Sequence, residues 1–377
     1  MSGGTIDGCT ASGVGGGIHG ETNGTIKVSG GTIKNCSATS GGGIRIITGE
    51  ISGGTVDSCT APNGFGGGIL FDGSNPNVSM KNGTIQNCSA KCGGAIGISF
   101  NADKELVFSD GLIQNCTATN GGAIGYEQKG SFNMQGGAIK NCATSNMGLG
   151  GAAYVDTIGT FKMNGGEISG NTAYQGGAIY AKTDIVMNGG IIKENNVNNL
   201  GGALRLEENA DFTMNDGQII NNQVLNYYIN NKGATVANTS YGAAIHGAGN
   251  NQIKLIKGTM SGHTSTGGDT YGDKNAIQVS GCGTTTQITI GAEFIMGENS
   301  IRFSGLSSRT IPVVKIVGNP ITANNPLYIA VSTDIEKHIQ IGCDSAAAAT
   351  TMLPNVKSAD NKAVFSVSGS NIVAAKK

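Results

Sequence analysis

Tryptophan is absent from this 377-residue chain, and only 5% of its residues are aromatic. An extended ring platform for stacking sugars is therefore missing. Charged residues make up 13% and the net charge is −1, which argues against a general nucleic-acid binder and a polybasic membrane surface. No apolar run approaches the roughly 20 residues of a membrane-spanning helix, and no secretion signal opens the sequence. Apolar stripes of helical period are lacking as well, so helical repeats fit poorly. Nine cysteines is an odd number, which rules out a complete intrachain disulfide framework.

Glycine is abundant, at 64 residues. It shows no Gly-x-y period, which sets collagen aside. Instead the glycines sit at fixed phases, where turns or closely packed backbones need them. Two anchors mark those phases. A Gly-Gly-(Gly or Ala)-Ile block ends at Ile18, Ile44, Ile69, Ile96, Ile124, Ala153, Ile179, Leu204 and Ile245. An Ile-x-x-(Cys or Asn)-(Ser or Thr)-Ala anchor places Cys9, Cys36, Cys59, Cys88, Cys116 and Cys142, then Asn171, Asn195, Asn222 and His263 at its fourth position. Two anchors on one beat of about 26 residues establish a repeat.

Each unit holds three short runs of alternating apolar and polar residues between Gly, Asn, Ser and Asp, as in 161–166, 167–172 and 176–180. That is strand and turn grammar. Three strands with no room for a crossover helix predict one coil of a parallel β-helix, right-handed by the usual preference of parallel crossovers. About ten coils stacked at the ordinary strand spacing give a rod of roughly 45 to 50 Å. The expected division is residues 1–275 as β-helix repeats and 276–377 as irregular final coils with a C-terminal cap, because an uncovered last coil would leave a naked strand edge.

Ile168-Ser169-Gly170-Asn171 with Gly177-Ala178-Ile179-Tyr180 resembles the Phe-x-x-Asn and Gly-Gly-Ala-Ile tetrapeptides of chlamydial polymorphic outer-membrane proteins and related bacterial surface adhesins. The likeness covers roughly residues 1 to 265, with Ile or Val at the Phe position and Cys for Asn in six coils. It implies a surface role at the cell exterior. Met1 opens the chain in the middle of a repeat, at the phase of Met134 and Met163, so the chain is expected to be a piece of something longer.

Stacked cysteines would lie about 4.8 Å apart at both Cα and Cβ, whereas a disulfide prefers Cβ atoms near 3.8 Å. Buried, reduced, Asn-like thiols are therefore expected. A metal is excluded because ligands in a line do not make a tetrahedron. Beside them runs a hydroxyl column, Thr10, Ser37, Thr60, Ser89, Thr117 and Thr172, broken at Ala143; it invites ice binding, but satisfying backbone groups at a coil corner explains it more simply.

Candidate chemistry is sparse. The exposed column Asp7, Lys34, Asp57, Gln86, Gln114, Lys140, Ser169 and Lys193 reads as surface charge pairs, with no two carboxylates on adjacent coils. Asp103, Lys104, Glu105, Glu127 and Gln128 share neighbouring turn regions. His19 and His246 have one phase but stand about nine coils, roughly 43 Å, apart by strand spacing. His338 is isolated. The most individual feature is a long excursion between Asn222 and Gly242, where Tyr227, Tyr228 and Tyr241 are the candidate binding anchors. The resulting expectation is a rigid extracellular or cell-surface module, adhesin-like, with a host or neighbouring-cell ligand (protein or glycan), no nucleic acid, no cofactor, no metal and no catalysis. The alternative is a carbohydrate-active β-helix, either a polysaccharide lyase or hydrolase or a glycan-binding module.

Overall fold

The computed structural model describes the chain apart from residues 74–76, 101–103, 127, 146, 157–158, 226, 230–234, 238–240, 266–274, 282–284, 298–299, 305–312, 332–339, 360–362 and 377; the side chains of 227–229, 235–237, 275, 331 and 376 are likewise outside it. Asp103, Glu127, Cys282 and His338 thus lie outside the described residues.

The chain is a right-handed parallel β-helix of about 11 turns. A coil runs through strands such as Gly159–Met163, Glu167–Ser169, Thr172–Gln175 and Ile179–Ala181 before the next begins at Ile185–Met187. The first two of these join the longest sheet, the third joins an eight-stranded sheet, and the fourth joins a thirteen-stranded sheet. We call them the first, third and second sheets. Register is set residue to residue: Phe132 pairs with Phe161, Ile139 with Ile168 and Ile124 with Ala153. Because side chains alternate across a strand, this register stacks like on like. Phe108, Phe132 and Phe161 form a ring column with centroids 5.9 and 5.4 Å apart. Met134, Met163, Met187 and Met214 lie fully buried beside it.

Two local devices close the coil. At the bend after the first sheet, Asn35, Ser58, Asn87, Asn115, Asn141, Glu194 and Asn221 all take left-handed backbone with φ between 53 and 56°. Asparagine tolerates that region better than other side-chain-bearing residues, and glycine fills it at Gly8, Gly170 and Gly262. At the corner into the second sheet, adjoining coils come into backbone contact. A Cβ on Gly42 would sit 2.3 Å from the Thr60 carbonyl, and one on Gly94 would sit 2.4 Å from that of Gly122. Only glycine fits there.

Among the described residues the last strand of the third sheet is Thr264–Ser265, while the other two sheets run on through Asn275–Ser280, Gln287–Ile295, Ser300–Ser304, Val313–Ile316 and Leu327–Val331. The far end is closed by antiparallel structure: Asn371–Lys376 pairs with both Gln340–Gly342 and Ala363–Ser368. A short helix, Ala346–Met352, is N-capped by the Ser345 hydroxyl and tucks Ala349 and Met352 into the core. No helix among the described residues is long and apolar enough to cross a membrane.

Candidate functional site

The ladder column is filled as its chemistry demands. Asn171 Nδ2 donates to the Ile139 carbonyl at 3.2 Å and to Asn195 Oδ1 at 2.9 Å. Asn195 does the same toward Ile168 (3.1 Å) and Asn222 (2.9 Å). The cysteines make weaker versions of the same contacts. Cys59 and Cys88 donate to Asp57 and Gln86 carbonyls at 3.4 and 3.2 Å, and reach the previous coil at Ile33 and Val56 at 3.7 and 3.8 Å. All eight described cysteines are free thiols, Cys9 exposed at the first coil and Cys36, Cys59, Cys88, Cys116 and Cys142 buried. Burial pushes the Cys36 thiol up to about 11, and a thiol contact from Cys88 together with burial raises Cys59 as well. Thiols so placed are poor nucleophiles.

His263 ends the column. Its Nδ1 accepts the Asn222 backbone N–H at 3.2 Å while Nε2 lies 3.0 Å from the Ile219 carbonyl, so the neutral ring with its proton on Nε2 satisfies both. Burial lowers its pKa to about 4. The ladder thus runs from the exposed Cys9 through buried thiols and amides to the buried His263.

On the outer face of the first sheet the charge column appears in register. Lys34 meets Asp7 at 3.3 Å, and Gln114 donates to Gln86 at 3.0 Å. Lys140 and Lys193 both reach Glu167, at 3.0 and 3.5 Å, diagonally from the neighbouring coils. Glu105 accepts Asn133 Nδ2 at 2.8 Å, at the head of an amide row running through Asn164, Asn188 and Asn215. In the hydroxyl column Thr60 donates to Ser37 Oγ at 3.1 Å, so in that pair the hydroxyls meet each other.

The densest cluster of functional groups lies elsewhere, on the outer face of the second sheet. The residue after each glycine block points away from the core, yet Tyr180, Arg205, His246, Gln278 and Arg302 are themselves buried. Register stacks His19, Arg45, Leu70, Gly97, Gly125, Tyr154, Tyr180, Arg205, His246, Gln278 and Arg302 in one row. The two histidines are therefore eight rungs apart, not nine. Two residues further on, Asp156, Lys182 and Glu207 form a parallel row on the sixth, seventh and eighth coils, counted from the coil of Ile6.

These groups are joined into one network. Tyr154 and Tyr180 stack with centroids 5.6 Å apart. Tyr154 Oη donates to Asp156 at 2.9 Å, and Lys182 Nζ lies 3.3 Å from the same carboxylate and 5.4 Å from the Tyr154 ring centre. Tyr180 Oη donates to Glu207, which also pairs with Arg205 at 3.2 Å. Arg205 Nε reaches Gln175 at 3.3 Å. Further along, His246 Nε2 lies 3.1 Å from Ser280 Oγ, Gln278 donates to Ser304 at 3.0 Å, and Arg302 sits 5.1 Å from the Tyr241 ring centre. Among the described residues His246 Nδ1 and Gln278 Oε1 have no partner.

Burial and pairing set the electrostatics of this face. Burial raises both tyrosines, and the Tyr154 contact raises Lys182, so phenols stay neutral and the amine stays charged. Each carboxylate already carries a cation and a phenol. Burial, then the neighbouring Arg205, drives the His246 pKa well below its ordinary value. No group of three or more His, Cys, Asp or Glu among the described residues could hold a metal ion.

Of the expected tyrosine anchors, Tyr227 and Tyr228 lie on a strand, Tyr227–Ile229, paired antiparallel with Thr235–Ala237. Within the excursion the described residues thus form an antiparallel strand pair, whose first strand runs beside Asn196–Leu200 of the third sheet. Tyr241 stands apart from it: its backbone bridges Leu200 and its ring meets Arg302. The row of Tyr154, Tyr180 and Arg205 escaped the sequence reading, although its phase, one residue past each glycine block, was open to inspection.

A family model described as "Right handed beta helix region" matches residues 1–110. No curated protein and no solved structure matches the chain. That family description fits structural, adhesin-like and enzymatic β-helices alike.

Proposed function

We propose that the chain is a rigid rod module of a bacterial surface or secreted protein, adhesin-like, meeting a host or neighbouring-cell ligand through its outer face. It performs no covalent chemistry and needs no cofactor. The observation that carries the reading is the paired state of the polar cluster on the second sheet, among the described residues. Asp156 and Glu207 are each committed to a cation and a phenol, so neither is poised as a general base. The repetitive buried core, continuous along the coils, supports reading the coil wall as scaffold.

A carbohydrate-active β-helix is the second reading, and one feature favours it: two carboxylates, two rungs or roughly 10 Å apart, with Lys182, Arg205 and two tyrosines around them. One experiment separates the two. Pure protein is incubated with acidic and neutral polysaccharides, with and without Ca²⁺, and products are followed as unsaturated or reducing ends. No release beyond buffer, alongside retained binding to intact cells, is the expected result. Reproducible release lost in Glu207→Gln would establish the enzyme instead.

A further inference from the structure

Two charge triads occupy the same three coils on different faces of the rod. On the second sheet the sixth, seventh and eighth coils present Asp156, Lys182 and Glu207, a minus–plus–minus order. On the first sheet the same coils present Lys140, Glu167 and Lys193, a plus–minus–plus order. All six side chains are about equally accessible, from 25 to 38%. Each triad is already ordered by its own internal pairs: Lys182–Asp156 at 3.3 Å on one face, Lys140–Glu167 at 3.0 Å and Lys193–Glu167 at 3.5 Å on the other. The outer members of both are two rungs apart, so their spacing is fixed by the same strand repeat, roughly 10 Å.

We infer that these faces are a lateral docking surface for a second copy of this chain, the second sheet of one rod against the first sheet of the next. Lys182 then faces Glu167, while Asp156 and Glu207 face Lys140 and Lys193. Charge complementarity selects this occupant: a polyanion would meet two carboxylates on one face, and a polycation two lysines on the other. Both triads are symmetric about their middle member, so they match whether the rods run parallel or antiparallel. The flanking charges choose between these. A parallel, in-register pair sets Arg45 of the second coil against Lys34, and Asp72 of the third coil against Asp57. The antiparallel pair separates them. Because the two faces differ, the contact is heterologous and repeats, building a layer of rods instead of a closed dimer.

The inference rests on the reading of the chain as a structural rod, and its test is separate from the cleavage assay above. Sedimentation velocity of the whole chain at 20 and 500 mM NaCl reads self-association directly. Association at low salt that weakens at least about tenfold at high salt is expected, since exposed ion pairs are screened. Apolar aggregation would strengthen with salt and overturn the proposal, as would a monomer at both concentrations. Lys182→Glu and Glu167→Lys proteins, each shown to be folded by circular dichroism, should sediment as monomers alone and re-associate when mixed, because only the mixture restores opposite charges at the central contact. Association unchanged in either variant, or absent from the mixture, also overturns it. A rod that fails these tests can still bind cells, and one that passes them gains no hydrolytic activity.

Discussion

Acidification should loosen the rod at His263, and the size of the effect follows from its two hydrogen bonds. The ring is 2% exposed, accepts the Asn222 N–H on Nδ1 and needs its proton on Nε2. Adding a second proton removes the acceptor and buries a charge. Its pKa is lowered from 6.5 to about 4 by burial, so the unfolded chain binds protons more readily than the folded one in this window. The stabilising contribution is complete above about pH 6.5 and falls away as pH drops toward 4. Linkage puts the loss at about 2 kcal/mol by pH 5, approaching about 3 kcal/mol below pH 4. Carboxylates titrate in the same range, so the useful quantity is the difference between wild type and His263→Asn, which would extend the amide ladder with a side chain that does not titrate. Urea midpoints at pH 7, 6, 5 and 4.5, with hydrogen exchange of the Asn222 amide as a local probe, give that difference. The variant should lose about 2 kcal/mol less than wild type between pH 7 and 5. Equal slopes in the two proteins would refute the assignment of the neutral ring to the ladder.

Thiol titration in denaturant should return nine groups both before and after reduction; a gain on reduction would contradict the buried, reduced ladder. Cys116→Ser should cost little, whereas Ile113→Asp, placing an unpaired charge in a fully buried column, should prevent or severely weaken folding, measurable as loss of the cooperative melt. Asn195→Ala removes both the acceptor of Asn171 and two donors to backbone carbonyls, and should lower stability by roughly 2 to 4 kcal/mol in urea denaturation. Excision of residues 226–240 with a short Gly-Ser bridge tests the excursion: unchanged cell binding in a folded protein would eliminate Tyr227 and Tyr228 as anchors. The cut starts after Leu225, since Val224 is fully buried in the third sheet and the Leu225 amide bonds to Val197.

Much of the coil could be read from the sequence because a solenoid repeats its local physics. From the second coil onward the apolar residue that opens the Ile-x-x-(Cys or Asn) anchor, the ladder residue and the residue closing each glycine block are buried, and alternation alone assigns them inward. Glycine blocks predicted close backbone approach, and Gly42 and Gly94 show it. What the repeat does not encode is chemistry between coils. Tyr154, Tyr180 and Arg205 are 25 or 26 residues apart and look unrelated until register places them side by side. The exposed column beside the Ile-x-x-(Cys or Asn) anchor holds the smaller set of charges, and the larger cluster follows the glycine block. The antiparallel closure at 363–376 was illegible for a different reason: it depends on which strands find a partner, and period-two alternation is the same for parallel and antiparallel neighbours.

The change from sulfur to amide along the ladder has a mechanical consequence. From Asn171 to Asn222 each side chain donates strong hydrogen bonds to the adjoining coil, at 2.9 to 3.2 Å, whereas the cysteines reach theirs only at 3.7 to 3.9 Å through weak thiol donors. Strand-to-strand bonds in this rod point along its axis, so a pull on the two ends opens coils one at a time, like a zipper. The thiol-lined half has fewer fasteners per coil. Under tension it is the half that yields first, and the amide-lined half then carries whatever remains attached.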